Sequence, residues 1–380
     1  MISRVVLGVC LAVLMVLTGV STYLYIGTRQ SRLAAAPLKP TAAQPTPKGF
    51  QLPGTLFVSQ NGALYSLSYG RYRQLTPEAG WMQPSLMPDG NLLAVKRGQF
   101  SSDIYILNQF GLPLRQLTSN QAPRRSYDTG DNHWAFFPRS SADGKTIFLS
   151  YDKPKGGYEV DLSVWSMPVN GGLPRGTDWS YSQGYTGGDF QPIPVPGGII
   201  YTKYLRALDG TIHSQIWFLN RPSPAAYQLY AGKAWTSAAE DCREPSVAPG
   251  GGYLAMICTY GKQISYLVIA PFAGQNIGAR QIVISDQMVA QPTWAPDGSG
   301  IAYLAPAIGD QPFQLWFLPK IAYFKPVPSP SPTPSPIPGG PVAATTPSPV
   351  PSPSPPQVVK PMQMSTSLAF DATSTMAWAP

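Results

Sequence analysis

Carboxylates recur at one position of a repeating pattern in this chain, and carboxylates gathered at one place could bind a divalent cation, a basic peptide or an amine. The pattern is keyed to tight turns at Asp89-Gly90, Asp143-Gly144, Gly197-Gly198, Gly250-Gly251 and Asp297-Gly298. Counting back 8 to 12 residues from each turn meets Glu78, Asp131, Asp189, Glu240 with Asp241, and Asp286. The same count from the position just beyond Pro380 meets Asp371. These thirty positions hold seven of the 19 acids, where composition alone predicts about 1.5. His133, two residues from Asp131, could add a nitrogen ligand to such a cation. No other cofactor is expected.

The elements that would position these acids are repeats. Gln83-Pro84, Pro138, Gln191-Pro192, Glu244-Pro245 and Gln291-Pro292 each place a proline five residues before a turn, with spacings of 54, 54, 53 and 47. Asp-Gly and Gly-Gly between apolar runs signal hairpins, because both turn residues need positive φ. An apolar strand follows each turn, for example Leu92-Leu93-Ala94-Val95 and Thr146-Ile147-Phe148-Leu149. A second signature runs in step: an aliphatic residue, an aromatic, any residue, then Leu or Met. It appears at Leu64-Tyr65-Ser66-Leu67, Ile104-Tyr105-Ile106-Leu107, Val164-Trp165-Ser166-Met167, Ile216-Trp217-Phe218-Leu219 and Leu315-Trp316-Phe317-Leu318. Strand-rich repeats of this period describe a β-propeller of four-stranded blades.

The chain's last residues, Thr375 to Pro380, match the start of the Gln291 motif and stop before the turn, while the first repeat lacks that opening strand. The C-terminal strand is therefore expected to complete the first blade, leaving no open sheet end. The expectation is an all-β, six-bladed β-propeller closed by the C-terminal strand and preceded by one N-terminal transmembrane helix. The acids would enter the innermost strands and converge on one mouth of the central channel, focusing negative potential on an otherwise basic protein.

These motifs resemble the TolB-like six-bladed propellers of bacterial envelope proteins. The likeness is carried by Gln83 to Gly90, then Asp103-Ile104-Tyr105-Ile106-Leu107, then Leu114-Arg115-Gln116-Leu117-Thr118. It covers about 51–325 and 357–380. It implies a partner-binding scaffold, or an accessory domain of the kind that peptidases carry.

Val5 to Ile26 is an uncharged run of 22 residues. At about 1.5 Å per residue a helix of that length spans the hydrocarbon core of a bilayer. A cleaved signal peptide, with Ala34-Ala35-Ala36 as its processing site, is the competing reading; the length of the run favours an anchor over residues 1–32. Residues 33–50 read as an Ala/Pro linker and 51–325 as the blades. Residues 326–356 read as a proline-rich insertion between the third and fourth strands of the last blade, followed by its end and the closing strand over 357–380. Cys242 and Cys258 flank the Pro249 to Gly251 turn symmetrically, so antiparallel pairing sets them opposite one another, close enough to bridge. A disulfide requires an oxidising compartment, which points to a single-pass cell-membrane protein with its propeller outside the cytoplasm.

Composition narrows the function. Charged residues are 12% of the chain, about half the usual ~25%, and no Lys/Arg block accompanies the net charge of +8, so nucleic acid is not an expected partner. No Gly-x-Ser-x-Gly elbow or His-Glu-x-x-His motif is present, and only two histidines occur. The expected function is a monomeric, non-enzymatic module that binds an envelope protein or peptide. A ligand or divalent-metal sensor using the acidic mouth is the first alternative, and an envelope hydrolase or lyase the second.

Overall fold

Each Pro-x-x-x-x-Asp/Gly motif forms an inner strand, turns back through a hairpin and continues outward by hairpins, which builds one antiparallel sheet per repeat. A computed structural model describes residues 51–123, 129–153, 161–182, 184–222, 232–262, 264–307, 311–319 and 360–380. Blade 1 contains β1 (Thr55–Gln60), β2 (Ala63–Ser68) and β3 (Arg71–Gln74). Blade 2 is β4 (Trp81–Leu86), β5 (Leu92–Arg97), β6 (Ser102–Leu107) and β7 (Pro113–Gln116). Blade 3 is β8 (Ala135–Ser140), β9 (Thr146–Tyr151), β10 (Ser163–Pro168) and β11 (Thr177–Asp178). Blade 4 is β12 (Asp189–Val195), β13 (Gly198–Arg206), β14 (Ile212–Leu219) and β15 (Lys233–Ala234). Blade 5 is β16 (Cys242–Val247), β17 (Tyr253–Cys258), β18 (Tyr266–Ala273), β19 (Asn276–Ile277) and β20 (Gln281–Ile284). Blade 6 is β21 (Ala290–Trp294), β22 (Gly300–Pro306), β23 (Phe313–Pro319) and β24 (Met362–Gln363). The last strand, β25 (Ala377–Ala379), pairs with β1, so the first sheet runs β25-β1-β2-β3.

The inner strands pack in succession around the ring, β25 on β4, then β8, β12, β16, β21 and back to β25. Six apolar clusters fill the six seams between blades. Phe57, Leu64, Trp81 and Leu92 join blades 1 and 2, and Ile104, Ile106, Ile147 and Leu149 join 2 and 3. Phe148, Tyr201 and Trp217 join 3 and 4, and Ile200, Phe218, Met256 and Val268 join 4 and 5. Ile257, Ile269, Ile301 and Tyr303 join 5 and 6, and Leu304, Phe317, Leu56 and Trp378 join 6 and 1. The aromatic signature of the third strands serves these seams.

Five of the inner strands carry one shared irregularity. The residue before the motif proline has positive φ, at Gln83 (53°), Phe137 (52°), Gln191 (55°), Glu244 (56°) and Gln291 (51°). The register shifts at the same place, between Met82 and Ser85 in β4 and at the equivalent residues of β8, β12, β16 and β21. Proline removes a ladder donor and bars the preceding residue from right-handed helical angles, so a bulge at a sheet edge is where the pair fits.

Blade 6 is interrupted between β23 and β24, where 320–359 lie outside the described residues together with the apolar run and linker of 1–50. Among the described residues no helix is long and apolar enough to cross a membrane.

Ring closure depends on a few contacts. Thr55, Leu56 and Phe57 pair with Ala379, Trp378 and Ala377. The Trp378 indole Nε1 donates to the Pro53 carbonyl at 2.6 Å. Gly54 has φ of +68°, and a Cβ there would stand 2.1 Å from the Ala379 oxygen, so only glycine admits the closing strand. Trp378→Ala is expected to cost about 3–5 kcal/mol, read by denaturant melting. Cys242 and Cys258 pair directly across β16 and β17 with Cα atoms 4.1 Å apart and are joined by a disulfide. Cys242→Ser is expected to lose about 3 kcal/mol, and reduction of the wild type should lower its melting temperature by a matching amount.

Candidate recognition face

Antiparallel pairing puts the start of each inner strand at the same end of its blade as the hairpin between the second and third strands. The Arg97 N–H donates to the Gly80 carbonyl at 2.8 Å, tying that hairpin of blade 2 to the loop entering β4. Bridges between Ser102 and Trp134, and between Leu162 and Gly188, carry the same level from one blade to the next. These hairpins and entry loops form one face of the ring, here the loop face.

The expected acids lie along this face, but the fold uses them individually. Glu78 and Asp286 are exposed in the loops before β4 and β21, and Asp131 is exposed in a short 3-10 turn, Thr129–Asp131. Asp189 is wholly buried, 3.1 Å from the buried Lys203 Nζ and 2.5 Å from the Ser180 hydroxyl. Glu240 accepts from Ser237 N–H at 2.7 Å and pairs with Arg280 at 2.7 Å. Asp241 accepts from Ser214 N–H and hydroxyl in blade 4 and from the Thr259 hydroxyl in blade 5, each at 2.7 Å. Burial pushes the Asp241 carboxyl up, and those hydrogen bonds outweigh it and hold it below the usual range. Asp371 closes a turn on Thr373 N–H at 2.9 Å and lines a cavity of about 270 Å³ with Arg97 and Trp81. His133 turns its Nδ1 to Asp152, at 2.8 Å, and packs its ring on Tyr151.

Of the readings of the expected acidic mouth, the divalent-cation one gains no support. Among the described residues no three His, Cys, Asp or Glu side chains gather where they could hold a metal ion. Asp189, Glu240, Asp241 and Asp371 are each taken up by a nearby N–H, hydroxyl or cation.

The ring's axis is occupied by different residues, those before the motif prolines. Gln83 N–H donates to the Ser374 hydroxyl at 2.6 Å, and Phe137 N–H donates to Gln83 Oε1 at 2.8 Å. Gln291 N–H donates to Glu244 Oε2 at 2.6 Å, and Gln291 Nε2 to the Ala372 carbonyl at 3.0 Å. Gln191 Nε2 reaches Gln291 Oε1 at 3.3 Å, linking blade 4 to blade 6 across the axis. Positive φ turns each of these residues out of its own sheet, so its groups bond to other blades. The Gln-Pro pairs were legible in the sequence; their cross-linking role was not, since nothing local specifies the bond across the ring.

Beside this belt stands an aromatic arc that sequence reasoning missed. Trp134 stacks on Phe136 at 5.9 Å, Phe137 meets Phe190 edge-on at 5.7 Å, and Phe190 meets Tyr204 edge-on at 5.2 Å. Arg97 lies over Trp134 at 5.7 Å. The available signal was Phe136-Phe137, standing where the other repeats carry Met82-Gln83 or Phe190-Gln191.

A buried polar knot behind the arc has a pH signature. Burial, reinforced by the neighbouring Asp189 charge, raises the Asp178 carboxyl to about 7, while the Ser180 N–H opposes the shift. A carboxyl raised in the folded state adds stability that is complete below its unfolded pKa and is lost as pH climbs to the folded value. Wild-type melting temperature should fall across about pH 4 to 7, and Asp178→Asn should flatten that fall. Equal slopes in the two proteins would exclude Asp178 as the titrating group.

No family model and no curated protein sequence matches this chain. Among solved structures, TolB from Acinetobacter baumannii superposes with a TM-score of 0.52 at 14% identity, over 70% of this chain and 61% of that one. A protein described as TolB from Agrobacterium tumefaciens gives 0.44 at 14% identity, over 71% and 86%. A puromycin-hydrolyzing peptidase of Mycobacterium tuberculosis gives 0.45 at 12% identity, over 71% and 45%. The chain thus spans less than two thirds of the Acinetobacter protein's length. At this identity the likeness reaches the fold and stops there. The chain is a six-bladed β-propeller, similar in fold to TolB from Acinetobacter baumannii.

Proposed function

We propose that this protein is a membrane-tethered, extracytoplasmic, non-catalytic binding module whose loop face receives an envelope protein or peptide. The observation that carries the reading is the distribution of exposed apolar side chains. Phe100, Tyr185, Leu208, Ile212, Ile264 and Met288 all lie in or beside the hairpins and entry loops of the loop face, six of the eleven large apolar residues exposed among those described. Leu208 stands fully in solvent at the tip of the β13–β14 hairpin. Exposed apolar side chains around a half-buried aromatic arc, on loops held by a rigid ring, suit recognition of another macromolecule.

The Asp161 carboxylate accepts from the N–H groups of Tyr185, Thr186 and Gly187 at 2.8 to 3.1 Å, presetting the loop that carries Tyr185. Preset loops lower the ordering cost of association. The disulfide supports an oxidising compartment, and the uncharged run of 5–26 supports the tether. The hydrolase or lyase alternative gains nothing from Asp178 and Asp189, the carboxyls that repel one another, because Asp189 is wholly buried against Lys203.

A photo-crosslinking residue in place of Leu208, in intact cells, should trap one envelope protein as a discrete adduct. The same residue in place of Asp89, on the opposite hairpins, should not. Absence of an adduct at 208, or equal adducts at both positions, would overturn the loop-face reading.

A further inference from the structure

The outer rim of blades 1 and 2 carries a second apolar surface made from other residues. Tyr69, Phe110, Leu112 and Leu114 are 77, 58, 62 and 53% exposed, and all four residues of β7 are open to solvent. β3 joins its two parts: Tyr69 stands at the hairpin that opens the strand, and the β6–β7 hairpin meets the strand's other end. Gly111 at the tip of the β6–β7 hairpin lies so close to the end of β3 that a Cβ there would stand 2.5 Å from the Leu75 oxygen.

Its charge has one sign. Arg71, Arg73 and Arg115 are exposed beside the apolar side chains, Arg115 with one guanidinium nitrogen donating to the Val169 carbonyl of blade 3, and neither 51–75 nor 104–117 contains an Asp or Glu. Aromatic and aliphatic side chains flanked by arginine, without acids, match the boundary between acyl chains and anionic headgroups.

The chain enters the ring at this same edge. Gly54 and Thr55 bond to the Ser68 hydroxyl at 3.4 and 3.2 Å, and Ser68 adjoins Tyr69. Only residues 27–53 separate that point from the uncharged run of 5–26. At no more than about 3.6 Å per residue, that segment keeps the rim within roughly 100 Å of the bilayer surface. A tether of this kind raises the local concentration of a weak surface contact.

We propose that the rim formed by β3, β7 and their hairpins rests on an anionic lipid surface, the one into which the N-terminal run inserts. Tyr69, Phe110, Leu112 and Leu114 enter the headgroup boundary, and the arginines engage lipid phosphates. The inference rests on the tether reading of the proposed function and adds the orientation of the ring, rim down, with its loop face clear of the lipid.

The test uses the full chain reconstituted in phosphatidylcholine vesicles and in vesicles with about one lipid in three replaced by phosphatidylglycerol. Amide hydrogen exchange over 67–75 and 107–116 should slow several-fold on the anionic vesicles only. High salt should reverse the protection, as should F110S/L112S/L114S. Each of R71Q, R73Q and R115Q should lower the affinity for anionic vesicles about five-fold, read from the phosphatidylglycerol fraction needed for half-maximal protection. Equal exchange on both vesicle types overturns the proposal and returns the patch to a protein partner. Alkaline carbonate extraction reads the anchor separately. Release of the chain would refute the tether, while salt-sensitive flotation that the triple variant loses would still support the lipid-binding rim.

Discussion

The ring closes because its first sheet is completed by the last strand of the chain, and three residues do this. The pairing of Ala377–Ala379 with β1 converts an open stack into a closed ring in which every blade has two neighbours. Each seam then buries the apolar side chains of both flanking sheets. Without closure, two blades would each expose one such surface, together with an unpaired strand edge. The close approach at Gly54 and the Trp378 indole bond on Pro53 concentrate this constraint in a handful of atoms.

Closure also explains what happens at the axis. Six inner strands crowd there with one edge unpaired, and the motif prolines remove donors at that edge. The bulge before each proline rotates the preceding residue out of its sheet, and its polar groups find partners on other blades. The result is a cross-braced hub. Four of the acids a few residues upstream, Asp189, Glu240, Asp241 and Asp371, are taken up in the same way, by Lys203, Arg280, Ser214 and Thr373. In a protein with so few charged groups, a carboxylate entering a crowded loop has more nearby N–H and hydroxyl donors than carboxylate neighbours.

A hub braced in this way leaves recognition to the periphery. Apolar side chains that the seams do not bury appear mainly in two places, the loop face and the rim of blades 1 and 2. Their surroundings differ: the first adjoins an aromatic arc, while the second is an acid-free strip beside the point where the chain enters the ring. A rigid ring carrying two such surfaces can hold one contact while presenting the other.

Much of the architecture was written in local pattern. Turn chemistry at Asp89-Gly90 or Gly250-Gly251, the proline period, the aromatic of each third strand and the symmetric placement of Cys242 and Cys258 depend on neighbours in the chain or across one hairpin, so blade number, strand order and disulfide geometry could be read from residues alone. What those residues do to each other across the ring could not. Whether Asp189 meets a cation or another carboxylate, whether Gln191 faces solvent or Gln291, and whether Gly111 abuts Leu75 depend on how blades of different sequence come to rest against one another. Those are contacts between residues up to a hundred or more positions apart, specified by packing and closure rather than by any local period; the repeat set the positions, and the tertiary structure chose the partners.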